Sequence, residues 1–156
     1  MSQIFIHPGF GKTGTTSIQN HLFGKHPDIL SIGRPWTDET LGFCNNLTKN
    51  IGFFSKRETL AALDALKLQK HNGPIILSDE TIIKSIFRNQ IIANRIKDFF
   101  PNAKILFTIR NQFTAIPSYY SNHGRMLKRS PTPYNGRHIT FDNWFEYSKN
   151  RLEESF

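Results

Sequence analysis

The ten residues Pro8-Gly9-Phe10-Gly11-Lys12-Thr13-Gly14-Thr15-Thr16-Ser17 constrain this chain more than any other stretch. An apolar run, Ile4-Phe5-Ile6, comes just before them, and residues 17–25 read as a helix. A strand, a Gly/Thr-rich loop and a helix in succession open a βα unit. Glycines let the backbone wrap closely round an anion, so that successive N–H groups converge on its oxygens. The helix that follows adds its positive end. Lys12 brings a full charge into the loop, and Thr15, Thr16 and Ser17 bring hydroxyl donors. The plainer alternative is a Gly-rich turn that caps a helix and leaves Lys12 in solvent.

The loop does not satisfy the Walker A pattern, which needs Gly, four residues, then Gly-Lys-Ser/Thr. Gly11-Lys12-Thr13 would require glycine at position 6, where Ile6 stands. Gly9 and Gly14 have the required separation, but Thr15 follows where lysine is needed.

Beyond the loop, strand and helix signals alternate. Residues 26–54 carry Pro27, Pro35 and several Gly and Asn, and read as irregular apart from a minor strand over 29–32. Ser55 followed by Glu58 has capping-box spacing. Behind it Leu60, Leu63 and Leu66 share one helical face with Ala61, Ala65 and Leu68 beside them, which predicts a helix to about His71. Asn72-Gly73-Pro74 ends it, and Ile75-Ile76-Leu77 is a short strand. A helix is expected over 83–100, with Phe87, Ile91, Ile92, Ile96 and Phe99 inward. The run 104–109 (KILFTI) is the clearest strand of the chain. Helices over 113–122 and 142–154 flank a Pro/Gly/basic loop at 128–137. Alternating strands and helices predict a single α/β domain, a three-layer sandwich with a central parallel sheet flanked by helices. Ligands of such sheets bind beyond the carboxyl ends of the strands, which directs attention to residues 8–17, 78–81 and 110–118.

Composition excludes several classes. The chain has 156 residues, 38% hydrophobic, with 14 Phe, enough for one core and too aromatic for a disordered chain. No apolar run approaches a membrane span, and the start lacks the features of a signal peptide, so a soluble, cytoplasmic protein without a membrane partner is expected. Cys44 is the single cysteine, read as a part-buried, inert thiol. The six His are scattered, and no metal site is expected. A net charge of +8 favours an anionic partner. The basic residues are spread along the chain without a zinc-finger, RNA-recognition or basic-zipper signature, which argues against nucleic acid.

Two motifs together carry a resemblance. Lys12-Thr13-Gly14-Thr15-Thr16-Ser17, after a strand and before a helix, resembles the 5′-phosphosulfate loop of sulfotransferases that use 3′-phosphoadenosine-5′-phosphosulfate (PAPS). Arg110-Asn111 closes the 104–109 run, and Ser118-Tyr119-Tyr120 begins eight residues after Arg110, as in that family's second signature. The resemblance implies a P-loop NTPase-like fold, transfer of a sulfuryl group from PAPS to a hydroxyl or amine with 3′,5′-bisphosphoadenosine (PAP) as product, and no metal. It implies that residues Gly11 to Ser17 hold the phosphosulfate, with Lys12 catalytic, and that Arg110 and Ser118 hold the 3′-phosphate. Gln112 and Thr114 stand where the family often has Pro and Asp, and Gly11 where Pro or His is common. The family's later basic, Gly-containing segment has no counterpart in 124–156, so the chain reads as the N-terminal part of such a domain or a short member of the family.

An acceptor must lose a proton. Ser78-Asp79-Glu80 offers the carboxylates: Glu80 is the first candidate for the base and Asp79 the second, with His7 and His123 behind them. Glu80 has a purely structural alternative, as a helix cap or an ion-pair partner of Lys12. The acceptor is expected to be a small molecule or a glycan. Two other functions stay open: a P-loop kinase or ATPase, for which 75–80 imitates a Walker B strand, and a non-catalytic polyanion-binding module.

Overall fold

The computed structural model describes residues 2–83, 86–125, 132–134 and 136–153. The chain forms two compact units, Met1–Ile109 and Arg110–Phe156.

The first unit is an α/β fold built on four strands: β1 (Ile4–His7), β2 (Leu30–Ser31), β3 (Ile75–Ser78) and β4 (Lys104–Ile105). All pair in parallel, in the order β2-β3-β1-β4. Side chains alternate across a strand, and that period divides the sheet residues cleanly. Ile6, Ile32, Ile75 and Leu77 face one core, shared with Phe43, Cys44, Leu47, Ile92, Ile96 and Phe100. His7, Ile76 and Ser78 fall on the opposite face and are buried too. There His7 meets the Phe23 ring edge-on at 5.3 Å, and Gln19 reaches Ser78. The sheet is therefore covered on both faces, which is why β3 reads as a continuous apolar run.

The helices reached by this packing are α1 (Thr15–Ile18), α2 (Asp38–Thr48), α3 (Lys56–Ala65) and α4 (Ile86–Phe99). α1 runs on as a π-helical turn, Gln19–Phe23, closed by a bond from Gly24 N–H to Gln19 O. α1 and this turn lie on the His7 face, while α2 and α4 lie on the other. β1 and β3 are neighbours in the sheet, yet their following helices leave on opposite faces. In such sheets the carboxyl ends of strands whose helices diverge in this way are the usual ligand position.

Three elements differ from the sequence expectation. α2 falls within the stretch read as irregular. Thr37 and Thr40 form a reciprocal capping box at its start, and Thr40, Phe43, Cys44 and Leu47 are its buried stripe. The stripe has helical spacing, but the Gly and Asn among those residues masked it. α3 begins where the capping signal placed it, with Ser55 Oγ accepting from Glu58 N–H at 3.2 Å. It ends six residues before His71, because Lys67 adopts a left-handed φ of 51° and breaks the helix. Its inner face is Thr59, Ala62, Leu63 and Leu66, while Leu60 is exposed. Third, the 104–109 run pairs as a strand only at Lys104–Ile105, with one further bond from Leu106 N–H to Ile6 O. The partner runs out: β1 ends at His7, Pro8 has no N–H, and Gly9 turns left-handed.

In the second unit α5 (Gln112–His123) and α6 (Phe141–Glu153) pack together through Tyr120, which lies 5.4 Å from the Phe141 ring and 5.6 Å from Trp144. The Tyr120 hydroxyl donates to Ile139 O at 2.7 Å, so this tyrosine is a core residue. Residues 128–131 and 135 of the expected basic loop, the end of the last helix at 154, and the side chains of Phe87 and of the candidate base His123 lie outside the described residues. Among the described residues no helix is long and apolar enough to cross a membrane.

Candidate functional site

The loop after β1 carries three residues at positive φ: Gly9 at 63°, Lys12 at 66° and Gly14 at 84°. Glycine adopts this region freely; lysine does so at a cost of about 1–3 kcal/mol. Gly9 is also forced by space, since a Cβ there would overlap the Thr15 side chain. Left-handed residues interleaved with ordinary ones turn consecutive N–H groups toward one point, the geometry of an anion nest. Gly14 then serves as N-cap of α1 and supplies no side-chain cap to that helix. The loop is braced by a bond from Thr13 Oγ1 to Phe10 O at 2.7 Å, across the turn holding Gly11 and Lys12. Phe10 stacks on Phe107 at 5.5 Å.

The sequence-selected residues of this unit do converge. Gly11, Lys12 and Thr13 are half-buried, and Gly14, Thr16 and Ser17 are exposed. Thr15 is buried, and its hydroxyl donates to Glu80 Oε1. That bond ties the loop to the carboxyl end of β3. The two adjacent carboxylates have separate tasks. Asp79 is buried, and its Oδ1 accepts from Thr81 N–H at 2.9 Å, so it caps the turn after β3. Glu80, half-buried, turns to the loop.

Below the loop lies a polar cluster that sequence reasoning did not assemble. His7 is fully buried, with Nδ1 2.8 Å from Ser78 Oγ and Nε2 3.2 Å from Thr108 Oγ1. Gln19 donates to Ser78 Oγ at 3.0 Å, and Thr108 Oγ1 lies 3.0 Å from Thr13 Oγ1. Burial pushes the His7 imidazole below its ordinary value, with the Glu80 charge a smaller opposing influence. The available signal was positional: a His, a Ser and a Thr each stand where a strand or its extension gives way to a loop.

Arg110 and Ser118 belong to the second unit. Arg110 directly precedes α5, and its Nε donates to Thr114 Oγ1 at 2.9 Å. Asn111 caps the helix by accepting from Phe113 N–H at 2.9 Å. Ser118 is half-buried in the second turn, after Pro117. Thr114, noted in the sequence only as a departure, is thus a direct partner of the Arg110 guanidinium. Among the described residues no group of three or more His, Cys, Asp or Glu side chains gathers as a metal site would.

No family model matches the chain, and no curated protein is significantly similar to it.

Proposed function

We propose that this chain is a PAPS-dependent sulfotransferase with a P-loop NTPase-like nucleotide site. The observation that carries the reading is the loop itself: Lys12 held at a left-handed φ between Gly9 and Gly14, at the carboxyl end of a central parallel strand. A left-handed lysine in such a place supports a functional reading, and a nest beside a cation suits a phosphosulfate. Lys12 lies in the loop ahead of the helix, out of register with a Walker lysine. That position argues for this reading over a magnesium-dependent kinase.

In the reaction, an acceptor oxygen or nitrogen bonds to sulfur as the bond from sulfur to the 5′-phosphate oxygen breaks. Charge grows on that oxygen, and the Lys12 ammonium and the loop amides would meet it with little reorganisation, the largest usual contribution to such steps. Glu80 is assigned the acceptor proton. Its Oε1 is occupied by Thr15, which orients the carboxylate and leaves the second oxygen for the proton. On the sequence resemblance, Arg110 and Ser118 are assigned the 3′-phosphate, for which a guanidinium is well suited. The acceptor is proposed to be a small molecule or a glycan.

Calorimetric titration with PAP in EDTA, beside 5′-AMP and ATP with magnesium, tests the assignment. PAP should bind without metal, AMP much more weakly. Lys12→Ala and Arg110→Ala should each weaken PAP about 10- to 100-fold, the worth of one charged hydrogen bond. A folded chain that ignores PAP, or that binds only magnesium-ATP, overturns the reading.

A further inference from the structure

The polar cluster beneath the loop has a direction that donor counting determines. A hydroxyl carries one hydrogen. Thr13 Oγ1 gives its hydrogen to Phe10 O, so at the contact with Thr108 Oγ1 it accepts and Thr108 donates. The Thr108 hydrogen is then spent, so Thr108 can only accept from His7, and Nε2 must carry a proton. A neutral imidazole protonated there has a bare Nδ1, to which Ser78 donates. Ser78 in turn accepts from the Gln19 amide. The bonds run one way, from Gln19 through Ser78, His7, Thr108 and Thr13 to Phe10 O.

We infer that His7 is a positioning residue, a neutral Nε2–H imidazole that relays orientation from β3 through Thr108 to Thr13 and so holds the anion loop in its binding shape. The last bond of the relay closes the turn that keeps Lys12 left-handed, and the first is fixed by the π-helical turn that carries Gln19. His7 has no access to solvent. Its part is to keep the Thr108 hydrogen on Thr13: Nε2–H fixes the Thr108 oxygen, whereas a bare Nε2 would take that hydrogen itself. The consequence for nucleotide affinity rests on the function proposed above; the relay itself does not.

Two measurements separate these. Long-range nitrogen-15 NMR of the ligand-free, unsubstituted chain at pH 7.5 reads the His7 tautomer. A protonated Nε2 and bare Nδ1 are expected, and the reverse tautomer or a charged ring overturns the relay. In the same spectra Thr108→Val should move the amide signals of Phe10 to Gly14, and unmoved signals in a folded variant would also overturn it. PAP is then titrated into His7→Gln, whose amide N–H can stand in for Nε2–H, and into His7→Asn, which serves Ser78 alone. Glutamine should keep affinity within about 3-fold, while asparagine and Thr108→Val should lose about 10-fold, the net worth of one hydrogen bond. Equal losses for glutamine and asparagine refute the positioning role. Absence of PAP binding by the unsubstituted chain refutes the nucleotide reading and leaves the relay to stand or fall on the NMR result.

Discussion

Adding one methyl group at two different glycines should move stability in opposite directions. Gly33 lies where β2 passes β3, and a Cβ there would overlap the backbone of Ser78. Backbone cannot swing aside like a side chain, so Gly33→Ala must push the two segments apart. At risk are the bonds Ile32 N–H to Ile76 O and Arg34 N–H to Ser78 O, each 2.9 Å. Each is worth about 0.5–1.5 kcal/mol net, and residual overpacking adds about 1–3 kcal/mol. A loss of about 3 kcal/mol is therefore expected, against about 5–15 kcal/mol for a whole domain. Gly42 is the control. It sits inside α2, and a Cβ there meets nothing within 4 Å. Gly42→Ala should stabilise by about 0.5–1 kcal/mol through lost backbone freedom in the unfolded chain. Urea titrations followed by far-ultraviolet circular dichroism measure both. A Gly33→Ala midpoint equal to that of the unsubstituted chain would refute the β2–β3 packing argument, and a destabilised Gly42→Ala would refute the open helical environment of Gly42 in α2. Because Ser78 is also a member of the His7 relay, Gly33→Ala should in addition disturb the loop amides.

Two further outcomes follow from buried titratable groups. The His7 imidazole is held below its ordinary value by burial, so as pH falls through about 6.5 the unfolded chain takes up a proton that the folded chain refuses. Stability is then unaffected by His7 above that pH and falls below it, by up to about 1.4 kcal/mol per pH unit, until the folded pKa is reached. Urea midpoints at pH 7.5, 6.5 and 5.5 should show the decline, and His7→Gln should flatten it; equal slopes would count against a neutral buried His7. The Cys44 thiol is buried and pushed up to about 12, chiefly by desolvation and then by the Asp79 charge. Its reaction with a chromogenic disulfide at pH 8 should be at least about 10³-fold slower in the native chain than in urea, since only the rare open population exposes it. Rapid native labelling would place Cys44 outside the core.

Much of the architecture was legible because it is local. Short continuous apolar runs marked β1 and β3, the Ser55/Glu58 spacing marked the start of α3, and the Gly/Thr stretch marked the loop. α2 was not legible, because Gly42, Asn45 and Asn46 weaken its propensity and its stability comes from seating Phe43 and Leu47 against β-strand residues distant in sequence. The 104–109 run was over-read for the converse reason. Its composition suits a strand throughout, but a strand lasts only as long as its neighbour, and β1 stops at Pro8.

The same division holds for the site. Sequence alone determined which residues stand in the loop, that their register is not that of Walker A, and that carboxylates follow the second main strand. These are properties of spacing along one segment. Tertiary structure alone decided that Glu80 rather than Asp79 turns to the loop, that Lys12 is strained, and that His7, Ser78 and Thr108 form one set of bonds. Those residues come from the ends of β1 and β3 and from the segment after β4, separated by as many as 101 positions. A hydrogen bond between segments beyond neighbouring strands depends on register and on which face each side chain takes, and both are decided only when the sheet assembles.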